Sequence, residues 1–188
     1  MLTSIYNKIG LGNAWIFMSV FIVQMVIMAF AGKDIMERSH VLNDMRQTIL
    51  DRYIGFISNI LWLLALGYSV FLHLLFGTVW FFIGFSVFIF GLLLLVSATY
   101  NFMTTPLDQL IQKGVYKFSR HPMYLSTLLI CLGTGIATAS LIFILLSIVM
   151  FICFHYEAIL EEKCCLNAYK GLYKEYMNRV PMWFGIPK

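Results

Sequence analysis

Residues 124–154 read YLSTLLICLGTGIATASLIFILLSIVMFICF, 31 residues without a charge. One helix of that length would rise about 46 Å at 1.5 Å per residue, well beyond the roughly 30 Å of bilayer hydrocarbon. Its middle, Gly133-Thr-Gly-Ile-Ala-Thr-Ala-Ser140, is small and polar enough to turn. The run therefore divides near residues 138–141 into two helices. That division sets the number of spans and the side on which every loop lies.

Outward from it, apolar runs at 14–31, 54–75 and 79–98 each approach the roughly 20 residues a crossing helix needs. Only residues 76–78 separate the last two, which predicts a tight helical hairpin. The whole chain has 188 residues, 61% hydrophobic and 12% charged. Soluble domains carry roughly 25% charged residues, and a chain this short could not hide so much apolar surface. A soluble domain, a disordered chain, a coiled coil and a disulfide scaffold are all excluded. The expected fold is an all-α integral membrane protein with five transmembrane helices.

Charge placement agrees with five spans. Lys33, Arg38, Arg46 and Arg52 lie in the 32–53 loop, and Lys113, Lys117 and Arg120 in the 99–120 segment. Lys163, Lys170, Lys174, Arg179 and Lys188 lie in the tail, and Lys8 alone falls opposite. The positive-inside rule makes the crowded side cytoplasmic, with the amino terminus outside and the carboxyl terminus inside. The net charge of +4 is then a topology signal rather than a nucleic-acid footprint. A cleaved leader ending at Ala29-Phe-Ala31 is the alternative for the first run. Its apolar stretch is long for that role, and cleavage would leave four basic residues outside.

Cys131 and Cys153 sit at lipid depth, and Cys164 and Cys165 on the reducing cytoplasmic side. There is no Cys-x-x-Cys and no metal spacing, so no metal is expected. Gly84 and Gly91 in the third span suit close helix contact, which leaves the oligomeric state open. The 32–53 loop mixes Ile35, Met36, Val41, Leu42, Met45 and Ile49 with charges, amphipathic enough to lie on a membrane.

The outer face is nearly bare, so charged chemistry belongs to the cytoplasmic face. The most informative segment there is Gly114-Val-Tyr116-Lys-Phe-Ser-Arg120-His121-Pro122-Met123-Tyr124. Gly114 permits a turn and close approach of a ligand. Pro122 suits the first turn of the fourth span and holds His121 out of helical geometry. Arg120 and His121 thus stand at a helix entrance that favours anions, and Arg120 offers a bidentate carboxylate contact. Tyr116 and Tyr124 offer faces for a purine or a cation. The plainer reading is a helix end anchored at the headgroups by an aromatic belt.

The tail carries Glu157, Glu161 and Glu162, then Tyr169, Tyr173, Tyr176 and Val180-Pro181-Met-Trp183. Glu157 and Glu161 share a helix face, so the fifth helix is expected to continue past the membrane surface. A solvated extension paired to lysines is the plainer reading of the same residues. Trp183 beside Pro181 reads as an interfacial anchor.

Gly114-x-Tyr116-x-x-x-Arg120-His121-Pro122-x-Tyr124, followed some forty residues later by Glu161-Glu162, Tyr173-x-x-Tyr176 and Val180-Pro181, resembles the isoprenylcysteine carboxyl methyltransferase family, which is related to the membrane phospholipid methyltransferases. The resemblance covers residues 100–184 or so. It divides the chain into amino-terminal spans, 1–99, and a catalytic half, 100–188. That half comprises a cofactor segment 100–124, a helical hairpin 122–160 and a tail 157–188.

The resemblance implies methyl transfer from S-adenosylmethionine, with S-adenosylhomocysteine as product. It places the cofactor against Leu110, Ile111, Gly114, Tyr116, His121, Pro122, Met123, Tyr124, Glu161 and Glu162. It gives Arg120, His121, Glu157 and Glu161 to the catalytic machinery, with Arg120 orienting the segment or pairing with a carboxylate. The acceptor is expected to be a lipophilic or small molecule arriving from the bilayer, with membrane lipids as partners.

Two departures bear on that acceptor. Prenylcysteine methyltransferases typically carry His-x-Leu-Val before the Gly-x-Tyr, where this chain has Asp108-Gln-Leu110-Ile111. They also carry an arginine for the substrate carboxylate four residues before the paired glutamates, where this chain has Glu157. A glutamate repels a carboxylate and suits a neutral or cationic acceptor such as an amine or thiol. His121 or Glu157 would then take its proton.

Two other readings compete. Membrane sterol reductases, which use NADPH, have a similar Arg-His-Pro-Asn-Tyr-x-Gly-Glu run, but here Met123 replaces the Asn and the Gly-Glu is missing. A non-enzymatic transporter or assembly protein would need a polar path, and His73 is the one acid or base within the spans.

Overall fold

The computed structural model describes residues 10–30, 48–106 and 109–186. Most of the 32–53 loop, up to residue 47, lies outside the described residues. The long apolar run breaks where its composition softens. Thr138 ends one helix, its N–H and hydroxyl both donating to the Thr134 carbonyl. Ala139 takes a positive φ of 48°. The Ser140 N–H then reaches back to Gly135, and its hydroxyl accepts from the Phe143 N–H to start the next helix.

Among the described residues there are six α-helices: α1 (Trp15–Phe30), α2 (Ile49–Ser69), α3 (Val79–Met103), α4 (Pro122–Ala137), α5 (Leu141–Tyr169) and α6 (Gly171–Arg179). A single 3₁₀ turn spans Gly114–Lys117. Three of the helices, α2, α3 and α5, are long and apolar enough to cross a membrane. α1 and α4 are apolar but have 16 residues each. Large apolar side chains such as Phe82, Leu93, Leu145 and Ile152 face outward. The protein is an integral membrane protein, with lipid rather than water as the solvent of those faces.

Three helix bounds differ from expectation. α2 starts at Ile49, where Thr48 and Asp51 form a capping box, and ends at Ser69 rather than residue 75. The six residues after it leave the helix to pair with other backbone. The Ala14 N–H donates to Leu72, Leu74 to Gly12, and Leu75 to Ala137. The Asn13 side chain, fully buried, donates to the Val70 carbonyl at 2.7 Å. These bonds knot three connections together at one end of the bundle. α3 runs on to Met103, five residues past its apolar run, and so carries Thr99 and Asn101 into buried positions.

α3 and α4 touch backbone to backbone. A Cβ on Gly84 would fall 2.5 Å from the Gly133 carbonyl oxygen, and one on Gly133 would fall 2.5 Å from the Phe88 nitrogen. Gly91 sits against Ile130 in the same seam. The close helix contact expected at Gly84 and Gly91 is thus made inside one chain, against α4. α1 lies across this pair, with Phe17 stacked on Phe88 at 4.0 Å and Gln24 donating to Thr99 at 3.2 Å.

Candidate functional site

The end of α3 sets the first wall of the site. The buried Asn101 side chain occupies the place a Cβ would take at Gly114, whose φ is +57°. Only glycine meets both conditions. The predicted turn is present, but the space beside Gly114 is filled by Asn101, so that side is closed to a ligand. The 3₁₀ turn that follows buries Tyr116, and the Tyr176 hydroxyl donates to the Tyr116 carbonyl at 2.7 Å.

Residues 118–120 then run beside the tail. The Arg120 N–H donates to Pro181 and the Gly185 N–H to Phe118, both at 3.1 Å. The Ser119 hydroxyl donates to the Met182 carbonyl and accepts from the His121 N–H. Pro122 is the first residue of α4, and His121 caps it in a non-helical conformation, φ −125° and ψ 57°.

α5 brings the paired glutamates to this corner. Successive helix residues point about 100° apart, so Glu161 and Glu162 embrace the His121 ring from two sides. His121 Nδ1 lies 3.2 Å from Glu161 Oε2, and Nε2 lies 3.1 Å from Glu162 Oε1. The Tyr124 hydroxyl donates to Glu161 at 2.8 Å. Arg120 Nε donates to Glu162 at 2.8 Å, and its Nη1 donates to the Met177 and Val180 carbonyls. Tyr124, Glu161, His121, Glu162 and Arg120 form one continuous chain of charge-assisted bonds.

Both ring nitrogens face carboxylates, an arrangement that favours the doubly protonated ring. Burial opposes that charge, but the bonds to Glu161 and Glu162 outweigh it and raise the histidine above its ordinary pKa. Burial would likewise raise Glu162, yet the bond from His121 and the charge of Arg120 hold it below the ordinary glutamate value. Behind them, burial pushes the phenols of Tyr173 and Tyr176 well up, so both stay neutral.

The sequence-predicted residues fall into distinct positions. Tyr124, His121, Glu161, Glu162 and Arg120 meet directly. Arg120 is turned to Glu162 and the tail carbonyls rather than presented as a fork for an outside carboxylate. His121, offered as a proton acceptor, has both ring nitrogens within reach of Glu161 and Glu162. Pro122 and Met123 open α4 beside it. Leu110 packs on the Tyr173, Tyr176 and Val180 cluster, and Ile111 follows it, half-buried. Glu157 is buried one turn before Glu161 on α5.

Sequence reading missed Asn101 and Ser119, which carry no motif of their own. It also set Trp183 apart as a membrane anchor. In the fold, the Trp183 ring lies 6.1 Å from His121, 4.5 Å from Phe151 and 5.6 Å from His155. The nearby Val180-Pro181, which pins the strap to Arg120, is the signal that pointed there.

The phospholipid methyltransferase (PEMT) family matches residues 72–171, more than half of the chain. A comparison with curated proteins returned no match. The matched stretch begins before α3 and ends just past α5, so it contains both halves of the charge network. The ordered motifs, their meeting around His121 and the family match agree: this chain belongs to the phospholipid methyltransferase family of membrane methyltransferases.

Proposed function

We propose that the protein transfers the methyl group of S-adenosylmethionine to an amine on a lipophilic acceptor. The reaction lies at the cytoplasmic face of a membrane that the chain crosses five times, with its amino terminus outside. The family supports methyl transfer, and the basic loops support the sidedness.

The observation that carries the donor site is the inequality of the two glutamates. The Glu162 side chain is 10% exposed and locked between two cations, whereas that of Glu161 is 26% exposed. A carboxylate has about four lone-pair sites, and Glu161 spends two, on His121 and Tyr124. The open side of Glu161, beside the Tyr124 ring, fits a cationic ligand, and S-adenosylmethionine carries both an ammonium and a sulfonium. When bound, S-adenosylmethionine supplies an electrophilic methyl: the acceptor's lone pair bonds to carbon as the carbon–sulfur bond breaks, and that electron pair leaves on sulfur as S-adenosylhomocysteine.

The chain's own residues align and prepare the acceptor. Arg120 and Glu162 fix the His121 segment to α5. His121 lies 3.2 Å from Glu161 and orients it. Glu157, buried on the same helix face as Glu161, repels a carboxylate acceptor and favours an ammonium. In this reading it is also the group that takes the ammonium proton before attack. An amine acceptor accords with the phospholipid named by the family.

Calorimetry on detergent-purified protein tests this reading. S-Adenosylmethionine and S-adenosylhomocysteine are expected to bind at micromolar Kd, with binding lost in His121→Ala, Glu161→Ala. A folded protein that binds neither refutes it.

A further inference from the structure

The helices of this chain start on clear local signals, with one exception. α2, α3 and α5 each begin at a Ser or Thr whose hydroxyl accepts a backbone N–H, and α4 begins at Pro122. α6 has neither signal. One residue, Lys170, separates it from α5, caps both helices and makes no side-chain capping bond. Lys170 has φ 47° and ψ −119°, a strained conformation that suits glycine. The neighbouring glycine is one position too late to relieve it. Gly171 opens α6 without a positive φ and with open space where a Cβ would stand.

The turn at Ala139, also at positive φ, divides an apolar run too long for one crossing. No such demand acts at Lys170, where the chain has left the apolar run and water accepts a straight helix. Local sequence favours going straight: Leu172, Lys174, Glu175, Met177 and Arg179 are good helix formers, and the next proline is Pro181. What bends the chain is contact beside the charge network. The Met177 and Val180 carbonyls both accept from Arg120 Nη1 at 3.0 Å. The Tyr176 hydroxyl donates to Tyr116, and Tyr173 and Tyr176 pack on Leu110. Local preference and tertiary contact thus oppose each other at one residue.

We propose that α6 is a two-state strap hinged at Lys170. Bent, it holds Arg120 against Glu162 and keeps the His121–Glu161 corner assembled. Continuous with α5, it releases Arg120 and opens that corner, so that donor and product exchange only from the straight form. The inference rests on the methyl-transfer reading and adds a gate to its donor site.

Spin labels at Lys117→Cys and Lys174→Cys, both exposed positions, report the bend as a distance in the full chain in nanodiscs, in a background without the native cysteines. Three variants weight the two forms differently. Lys170→Gly relieves the bent form and places glycine inside the straight helix. Gly171→Ala has room in the bent form and strengthens the straight one. Lys170→Ala removes the charge and keeps the strain.

Two distances are expected in the free protein, the short one gaining about fivefold in ratio when S-adenosylhomocysteine is added. Lys170→Gly is expected to raise the short-to-long ratio about fivefold and to slow S-adenosylhomocysteine release by the same factor. Gly171→Ala should shift both the other way, and Lys170→Ala should match the parent within about twofold. One distance in all four proteins overturns the two-state strap. A ratio that ignores S-adenosylhomocysteine, or release rates that do not follow the ratio, overturns its coupling to the donor site. A Lys170→Ala protein that behaves like Lys170→Gly overturns the role of backbone strain. Folded wild-type protein that binds no S-adenosylhomocysteine in calorimetry removes the methyl-transfer reading and the gate with it, while the distances still decide whether α6 straightens.

Discussion

The two adjacent glutamates do different work. Glu162 is the buried strut: it accepts from Arg120 and His121 at once, so losing its charge leaves two cations unpaired. Glu162→Gln is expected to cost about 3 kcal/mol of stability, read by chemical denaturation in micelles. Glu161→Gln, at a more open position, is expected to cost under about 1 kcal/mol and yet to weaken donor binding at least tenfold. Equal losses from both variants would contradict the division. The cluster also sets a pH window. His121 is raised, so its contribution is complete below its ordinary value of 6.5 and is lost as pH climbs through the elevated one. Glu162 is lowered, so its contribution is complete above 4.5 and is lost as pH falls through the depressed one. Thermal stability is expected to plateau between pH 4.5 and 6.5 and to decline on either side. A melting profile of His121→Gln in the same buffers should lack the alkaline decline.

Among the elements, α3 and α4 have the least freedom. Their glycines stand where another helix's backbone passes, so added methyl groups must force the pair apart. Gly84→Ala and Gly133→Ala are each expected to cost about 1–3 kcal/mol, with the double variant less than additive because both wedge the same seam. The effect would appear as a lower melting temperature with donor affinity reduced in parallel, since His121 caps α4 and α3 carries Asn101. Gly67, with open space beside it, is the control: Gly67→Ala is expected to change stability by no more than about 1 kcal/mol. A loss at Gly67 comparable to that at Gly84 would refute the close-contact explanation.

For the whole molecule, the hydrogen bonds sort the connections into two ends. Residues 12–14, 70–75 and 137 meet at one, and residues 116–121, 161–162 and 176–185 at the other. With five crossings the first end is outside. Single cysteines at Ala139 and at Lys174, in a background without the native cysteines, are expected to react with a membrane-impermeant maleimide from opposite sides of sealed vesicles. Labelling of both from the same side would refute the five-span arrangement. Much of this was legible beforehand, because hydropathy and charge are local properties: the break at residues 138–141, Pro122 opening α4, and α5 outrunning its apolar stretch all follow from which residues lipid or water will accept. The bounds at Ser69 and Met103 were not legible. Backbone pairing with residues 12–14 ends α2, and burial of Asn101 extends α3, and neither partner is near in sequence. The same holds at the site. Spacing brought Arg120, His121 and Glu161-Glu162 together on paper, since a helical hairpin of about this length returns α5 to the start of α4. Which glutamate is buried, that both nitrogens of His121 are occupied, and that Trp183 leans on that ring were decided by contacts between segments 40 or more residues apart, which only the folded chain brings within hydrogen-bond reach.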